Sequence, residues 1–238
     1  MSAHPGLAYP CLDTPRERAV GYDAVMETEL APARTGGRLV ELGPGLALPG
    51  FTLTLSPNEE AFGEEEEADF VYKVLSGAVR TTRLLSDGRR QIGAFYLPGD
   101  VFGLEFGPVH RFSAEAVTQT DVAIVRRSAV ERAAERDPAI ARQLWTLASH
   151  ELADLQDHML LLGRKNASER VASFLLKLSR RAHSRVIELP MSRCDMADHL
   201  GLTLETVSRT MSQMARSHAI DLPNARRVVV HDLEALAA

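Results

Sequence analysis

The stretch from Ser192 to Ile220, SRCDMADHLGLTLETVSRTMSQMARSHAI, determines how the C-terminal part of this chain folds. Ser192 and Asp195 have the spacing of a helix-capping pair and predict the start of a short helix. Gly201 ends that helix, because glycine readily adopts the left-handed conformation common at helix C-termini. Thr203 is a favourable N-cap and predicts a second helix that runs to about Arg216. The stretch therefore predicts two helices joined by a tight glycine turn.

The second of these helices has an apolar face and a polar face. Residues at spacings of four and three lie on one side of a helix and point into the domain; here they are Val207, Met211 and Met214. The opposite side carries Glu205, Ser208, Arg209 and Ser212. In the major groove an arginine matches guanine, a carboxylate accepts from cytosine and a hydroxyl contacts several base edges. We predict a helix-turn-helix that reads bases with Glu205, Ser208 and Arg209. The alternative is a helical hairpin with a solvated face and an i,i+4 ion pair between Glu205 and Arg209.

The residues after the second helix predict a wing. Two apolar runs, 220–222 and 228–230, flank a turn that contains Pro223 and Asn224 and ends in two arginines. Arginine and hydroxyl side chains around such a motif suit phosphates, which position a protein on DNA without specifying sequence. The predicted backbone contacts are Ser192, Arg193, Thr203, Ser212, Arg226 and Arg227.

The charge of the chain supports DNA binding only when the residues before and after Gly163 are counted separately. The whole chain has a formal net charge of −5. Residues 164–238 contain 12 Lys and Arg against 8 Asp and Glu, whereas the first 163 residues contain 15 against 24. Nucleic-acid binding is favoured for the basic part. We therefore predict a winged helix-turn-helix DNA-binding domain at 164–238.

The middle of the chain has the pattern of an antiparallel β-roll. Between Arg38 and Arg126, short apolar runs alternate with turn residues, as in the two corners Ser86 to Gly88 and Leu97 to Asp100. Strands at this spacing predict a jelly roll or β-roll over 38–127. Residues 1–37 mix proline, glycine and charges and predict an N-terminal arm.

A long helix is predicted between the two domains, in a helical linker over 128–163. Asp137 and Pro138 have the character of its N-cap and first position. One stripe along it follows the alternating three and four spacing of a coiled-coil seam and predicts a homodimer. The seam consists of Trp145, Ala148, Leu152, Leu155, Met159 and Leu162. Ile140, Leu144 and Leu147 form a second stripe, so the alternative is a single helix packed on its own β-roll.

The run DMADHLGLTLETVSR, with YKVLSGAVRTTRLLSDGRRQIGAFYLPGDVFG from Tyr72 to Gly103, resembles the CRP-FNR family and within it the FNR-FixK branch. The resemblance covers about 38–236 and implies an α+β fold: a cyclic-nucleotide-binding-like β-roll, a dimerisation helix and a C-terminal winged helix-turn-helix. It implies a homodimeric transcription regulator, typically an activator that contacts RNA polymerase. It also implies a palindromic operator of the TTGA, spacer, TCAA kind. Control of genes for low-oxygen respiration, denitrification or nitrogen fixation is a further implication.

The sensing chemistry of the wider family is largely missing. Cys11 is the single cysteine near the N-terminus, whereas a cysteine-ligated iron-sulfur cluster needs several. Glu105 and Arg111 are candidates for the ribose and phosphate partners of a cyclic nucleotide, but Phe112 interrupts the expected Arg-Ser pair. His110, the one histidine of the β-roll, is interpreted as a loop residue rather than a haem ligand. We therefore expect no cofactor; the alternative is a ligand-gated regulator with a small-molecule effector in the roll.

One cysteine offers another form of control. Cys194 follows Arg193 at the predicted start of the first motif helix, where a thiol can have a lowered pKa and be oxidised. The hypothesis is a redox switch at Cys194; the alternative is that it is only a small helix residue.

Other classes of protein are disfavoured. A single histidine between Arg38 and Arg126 cannot build a cupin metal site, so we expect no metal and no enzyme activity. The chain has no long apolar run or signal peptide, which predicts no membrane association and a location in the cytoplasm.

Overall fold

The computed structural model describes residues 38–105, 107–233 and 236 of the 238-residue chain. The arm predicted at 1–37 lies outside the described residues. Nine strands precede the first described helix. They are β1 (Arg38–Gly43), β2 (Leu46–Leu55), β3 (Glu60–Phe62), β4 (Phe70–Ser76), β5 (Val79–Leu84), β6 (Arg90–Tyr96), β7 (Val101–Phe102), β8 (Ser113–Ala116) and β9 (Thr120–Arg126).

These strands form two antiparallel sheets that enclose an apolar core. One sheet has the order β1-β2-β9-β4-β7 and the other β3-β8-β5-β6. Aromatic rings fill the space between them: the ring of Tyr72 lies 5.2 Å from that of Phe62 and 5.1 Å from that of Phe102. Because all three side chains are almost fully buried, they stabilise the roll by removing large apolar surfaces from water.

The sequence pattern does not indicate strand β2, because Pro49 and Gly50 interrupt its alternation. It nevertheless pairs with β9 over residues 50–55. Gly50 allows that pairing, since a Cβ there would come within 2.3 Å of the Ile124 carbonyl oxygen. The glycine therefore marks a close approach between strands rather than a turn.

Two helices follow the roll, α1 (Arg127–Arg136) and α2 (Pro138–Arg164). The side chain of Asp137 accepts a hydrogen bond from the amide of Ala139 at 2.8 Å, which confirms the predicted cap. Ile140, Leu144 and Leu147 pack on the outer face of the five-stranded sheet, as the second stripe predicts. In the described part of the chain, no helix combines the length and apolar character needed to cross a membrane.

Among the residues that the structure describes, the C-terminal domain combines helices with a small sheet. Its elements are α3 (Ala167–Ala182), β10 (Val186–Glu188), α4 (Arg193–Leu200), α5 (Leu204–Arg216), β11 (Ile220–Asp221) and β12 (Arg227–Val230). Asn166 and Glu169 form the capping box that starts α3. The strand order is β10-β12-β11, so the predicted two-stranded wing is extended by a third strand, β10, which the sequence analysis did not predict. The α+β fold class is confirmed.

Candidate nucleic-acid interface

The turn between α4 and α5 has the geometry expected from its sequence. The amide of Asp195 donates to Ser192 Oγ at 3.1 Å, and the amide of Ser192 donates to Asp195 Oδ2 at 3.0 Å. Gly201 ends α4 with a φ of 60°, in the left-handed region. Thr203 Oγ1 accepts from the amide of Thr206 at 3.2 Å and begins α5. Local capping chemistry therefore fixes both helix starts and the turn between them.

Helix α5 is amphipathic in the predicted sense. Val207 and Met211 are fully buried, and Met214 is buried at 7% exposure. On the opposite side Glu205 and Arg209 are exposed and Ser208 is half-buried. Within the described residues, neither Glu205 nor Arg209 takes part in an ion pair, so the predicted i,i+4 pair is not formed. Both charged groups face solvent from the first turns of the helix.

Three predicted phosphate-contacting hydroxyls already have partners within the chain. Ser192 Oγ donates to Asp195 Oδ2 at 2.8 Å, in addition to its role as a cap. Thr203 Oγ1 also lies 3.0 Å from Thr206 Oγ1. Ser212 Oγ donates to the Ser208 carbonyl at 2.8 Å. A contact to phosphate from any of the three hydroxyls therefore requires it to share or exchange a hydrogen bond.

The predicted arginines differ in their surroundings. Arg226 and Arg227 are exposed on the wing; Arg226 donates to the carbonyl of Pro190, and Arg227 Nε lies 3.4 Å from Glu188. Arg193 is half-buried in the first turn of α4, and its Nε is buried without a hydrogen-bond partner among the described residues. The neighbouring Cys194 is also half-buried.

A residue that the sequence analysis missed, Arg170 of α3, joins the end of α2 to the helix-turn-helix. Its guanidinium donates to the carbonyls of Leu162 at 2.8 Å and Lys165 at 2.9 Å. It also donates to the carbonyls of Leu200 at 2.9 Å and Gly201 at 3.4 Å. No sequence motif signals such a contact, because the acceptors are all backbone atoms.

A ring cluster packs the β-roll against this domain. Phe95 of β6 contacts Phe174 of α3, with ring centroids 6.1 Å apart, and His199 of α4 at 5.2 Å. His199 also stacks on His158 of α2 at 4.2 Å. Burial, reinforced by the neighbouring charges of His158 and Lys177, lowers the pKa of His199 to about 3. Burial also lowers the pKa of His158. Both rings are therefore held neutral at the meeting point of the roll, α2 and α4.

The predicted coiled-coil stripe is exposed on α2. Trp145 is 76% exposed and Met159 is 66% exposed, and no residue of this helix is fully buried. Leu152 and Leu155 are exposed by more than half, whereas Ala148 and Leu162 are half-buried. This is a large apolar surface without a covering element in the described part of the chain.

The candidate nucleotide partner Glu105 is engaged by neighbouring groups of the roll. His110 is buried and stacks on Phe62 with ring centroids 3.5 Å apart. Glu105 binds His110 Nδ1 at 2.5 Å and accepts from the amide of Arg111 at 3.0 Å. Burial opposes the charge of Glu105, but these hydrogen bonds outweigh it and lower the pKa of the carboxyl. Over the described residues, no group of three or more His, Cys, Asp or Glu side chains could hold a metal ion.

Comparisons with known proteins agree with this architecture. Residues 52–137 match the cyclic nucleotide-binding domain family, and residues 169–238 match the Crp-like helix-turn-helix domain family. The nitrogen fixation regulation protein FixK of Azorhizobium caulinodans is 49% identical over 197 residues, covering 80% of this chain and 79% of that protein. FixK of Rhizobium meliloti is 44% identical over 198 residues, covering 82% and 90%.

Solved structures extend the likeness to three dimensions. FixK2 from Bradyrhizobium japonicum superposes with a TM-score of 0.77 at 52% identity, over 80% of this chain and 96% of that one. The relatives are transcription regulators rather than enzymes. Fold, motif and relatives agree, and the chain belongs to the FixK branch of the Crp-Fnr family of transcription regulators.

Proposed function

We propose that this chain is a homodimeric regulator that recognises a palindromic operator of the TTGA, spacer, TCAA kind. The observation that carries the proposal is the outward face of α5, where Glu205 and Arg209 are exposed above a buried core of methionine and valine. Such a helix can enter the major groove with its first turns against base edges. Selection of bound sequences from random duplex DNA tests the operator. The proposal fails if no palindrome emerges with half-sites about one helical turn apart.

Two arginine substitutions distinguish residues that read bases from residues that contact phosphates. Arg209→Ala should lose about 1–3 kcal/mol of discrimination between the preferred base and the others at one position, because the guanidinium that pairs with guanine is removed. Arg226→Ala on the wing should weaken binding to every sequence and reduce the salt slope by about one unit. Fluorescence anisotropy with the selected operator and a scrambled duplex, at several salt concentrations, measures both effects. Equal losses on the two duplexes for Arg209→Ala would contradict the assignment.

Dimerisation is proposed through the exposed stripe of α2. Leu155 and Met159 lie on this stripe, and burying such residues against a second copy removes apolar area from water. Leu155→Glu should convert the dimer to monomers, whereas Ala153→Glu adds the same charge at an exposed position beside the stripe and should not. Analytical ultracentrifugation at micromolar concentration distinguishes them. A monomeric wild type would contradict the proposal.

We propose that the roll needs no bound cofactor. Support comes from the engagement of Glu105, the candidate ribose partner, by His110 Nδ1 and the amide of Arg111, and from the burial of His110 against Phe62. Thermal shift with cyclic AMP and cyclic GMP, with and without operator DNA, tests this. A ligand-dependent shift that is larger with DNA would favour the ligand-gated alternative.

Redox control through Cys194 is part of the proposal. The residue lies in the first turn of α4 beside Arg193, next to the proposed phosphate contacts. Added bulk or charge at this position would oppose phosphate binding. Operator affinity should therefore be lower for peroxide-treated than for dithiothreitol-treated wild type. The same difference in Cys194→Ser would show that the residue is not the switch.

The relatives' names suggest the pathway. Because two similar proteins are called nitrogen fixation regulation proteins, we propose control of nitrogen fixation or related low-oxygen genes, in the cytoplasm. Activation through contact with RNA polymerase is proposed from relatives named transcriptional activators. In vitro transcription from a promoter carrying the selected operator should rise when the protein is added. Reduced transcription would indicate repression instead.

A further inference from the structure

Two arginines of the β-roll reach across the domain boundary to the first helix of the helix-turn-helix. Arg80 of β5 places Nη1 3.0 Å from Asp195 Oδ1. Arg90 of β6 places Nη2 2.7 Å from the same oxygen and Nε 2.8 Å from Asp198 Oδ2. We call Arg80, Arg90, Asp195 and Asp198 the roll latch. It joins residues that are more than a hundred positions apart in sequence.

Arg80 is itself held rigidly within the roll. Its Nε and Nη2 donate to Glu115 of β8 at 3.1 and 2.8 Å, and Nη2 also donates to Asn58 at 2.9 Å. Glu115 is 3% exposed and accepts a further bond from Thr82 at 2.9 Å. Since these contacts use the rest of the guanidinium, Nη1 is aimed at Asp195 by the roll itself.

The partner of both arginines is also the residue that starts α4. Asp195 is 5% exposed and divides its two oxygens between tasks. Oδ2 closes the capping box with Ser192, whereas Oδ1 binds the two arginines. A contact at the helix start therefore fixes α4 relative to the roll, and α5 packs on α4 through the shared domain core.

Buried ion pairs of this kind contribute little net stability while both partners are present. Their desolvation cost offsets much of their attraction, but removing one partner leaves a buried charge uncompensated. Burial raises the pKa of Asp198 despite the bond to Arg90. Burial also opposes the charge of Arg90, but Asp198 and Asp195 outweigh it and raise the pKa of Arg90. The geometry favours the charged pair, because Arg90 presents both Nε and Nη2 to Asp198 Oδ2 at 2.8 Å.

The latched arrangement leaves the reading face of α5 open. Glu205 and Arg209 are exposed while Asp195 is buried against the roll. We propose that the roll latch holds the DNA-binding domain in its operator-binding orientation, and thereby supplies the orientation that a small-molecule effector supplies in ligand-gated regulators. This inference rests on the proposed function, since it requires operator binding without an effector.

The test compares operator affinities of latch variants. Arg90→Ala and Asp198→Asn remove one arm of the latch and leave the capping residue Asp195 in place. If an unlatched domain occupies the binding orientation about a tenth of the time, the apparent Kd rises about tenfold. The matched control is Arg89→Ala, which removes the same charge from the same hairpin but at an exposed residue paired with Asp87. The conservative variant Arg90→Lys keeps a positive charge facing Asp195 and Asp198 and should retain at least half of the binding free energy that Arg90→Ala loses.

Each outcome decides the inference. Weaker operator binding by Arg90→Ala, near-wild-type binding by Arg89→Ala and partial retention of binding by Arg90→Lys support it. Equal losses of operator affinity in Arg89→Ala and Arg90→Ala, or no loss of affinity in either variant, overturn the inference. Tighter binding by Arg90→Ala also overturns it, because the contact would then be inhibitory. If Arg90→Ala unfolds at low urea, Asp198→Asn takes its place in the comparison with Arg89→Ala and Arg90→Lys. Failure of wild type to select any palindrome refutes the proposed function, and the inference falls with it.

Discussion

The buried histidine pair predicts a loss of stability in mild acid. The Nδ1–H of His199 donates to the Ile92 carbonyl at 3.2 Å, and the ring stacks on His158, while burial lowers its pKa to about 3. In the unfolded chain its pKa returns to 6.5. Below pH 6.5 the unfolded state therefore binds a proton at this histidine that the folded state does not bind. The contribution of His199 to the free energy of unfolding is fully present above that pH and falls as the pH drops toward the folded-state pKa.

The expected loss of stability is that of one histidine which takes up a proton only in the unfolded state. Between about pH 7 and about pH 5.5, a shift from 6.5 to about 3 lowers the free energy of unfolding by at most about 1.2 kcal/mol. His199→Gln removes this titration while keeping a side chain that can hydrogen-bond. Between the same two pH values, the free energy of unfolding of the variant should therefore fall by about 1.2 kcal/mol less than that of wild type.

Urea unfolding followed by circular dichroism at both pH values, at one fixed protein concentration, measures the difference. The control is His150→Gln, which removes an exposed histidine from α2 and should show the pH dependence of wild type. If wild type and His199→Gln lose the same free energy between the two pH values, the proposed origin of the effect in buried neutral His199 is wrong.

Three further predictions concern the turn and the core of the DNA-binding domain, and urea unfolding checks each of them. Gly201→Ala should lower the free energy of unfolding by about 1 kcal/mol, because an L side chain is strained at a φ of 60°; no loss would show that the turn adjusts. Met211→Ala should cost about 2–5 kcal/mol, because the side chain is fully buried, and a smaller loss would mean that the core collapses around the cavity. Arg170→Lys should cost about 1–3 kcal/mol, since one ammonium cannot satisfy carbonyls at two sites, whereas an unchanged stability would mean that water replaces the lost donors.

The parts of the fold that sequence predicted best are those set by neighbouring residues. The cap at Asp137, the box of Ser192 with Asp195 and the turn at Gly201 each depend on contacts within a few positions, so the residue types alone indicate them. The buried face of α5 follows from helical periodicity in the same way.

The missed features depend on distant parts of the chain. Nothing near Arg80 indicates that it meets Asp195, because 115 positions separate them. His110 was interpreted as a loop residue, and it does lie outside the strands, but its stacking on Phe62 buries it completely. Strand β10 is short and takes its place only by pairing with β12. Such contacts depend on the assembled fold, and one sequence contains no local pattern for them.

The acceptors of Arg170 have a consequence for how this regulator can change over evolution. All four are main-chain carbonyls, so the side chains at Leu162, Lys165, Leu200 and Gly201 are not what the guanidinium recognises. Substitutions at the first three of those positions can alter the end of α2 or the first motif helix while leaving these carbonyl acceptors in place. The connection between α2 and the helix-turn-helix thus depends on the identity of one side chain, and the residues around it can be substituted without removing its acceptors.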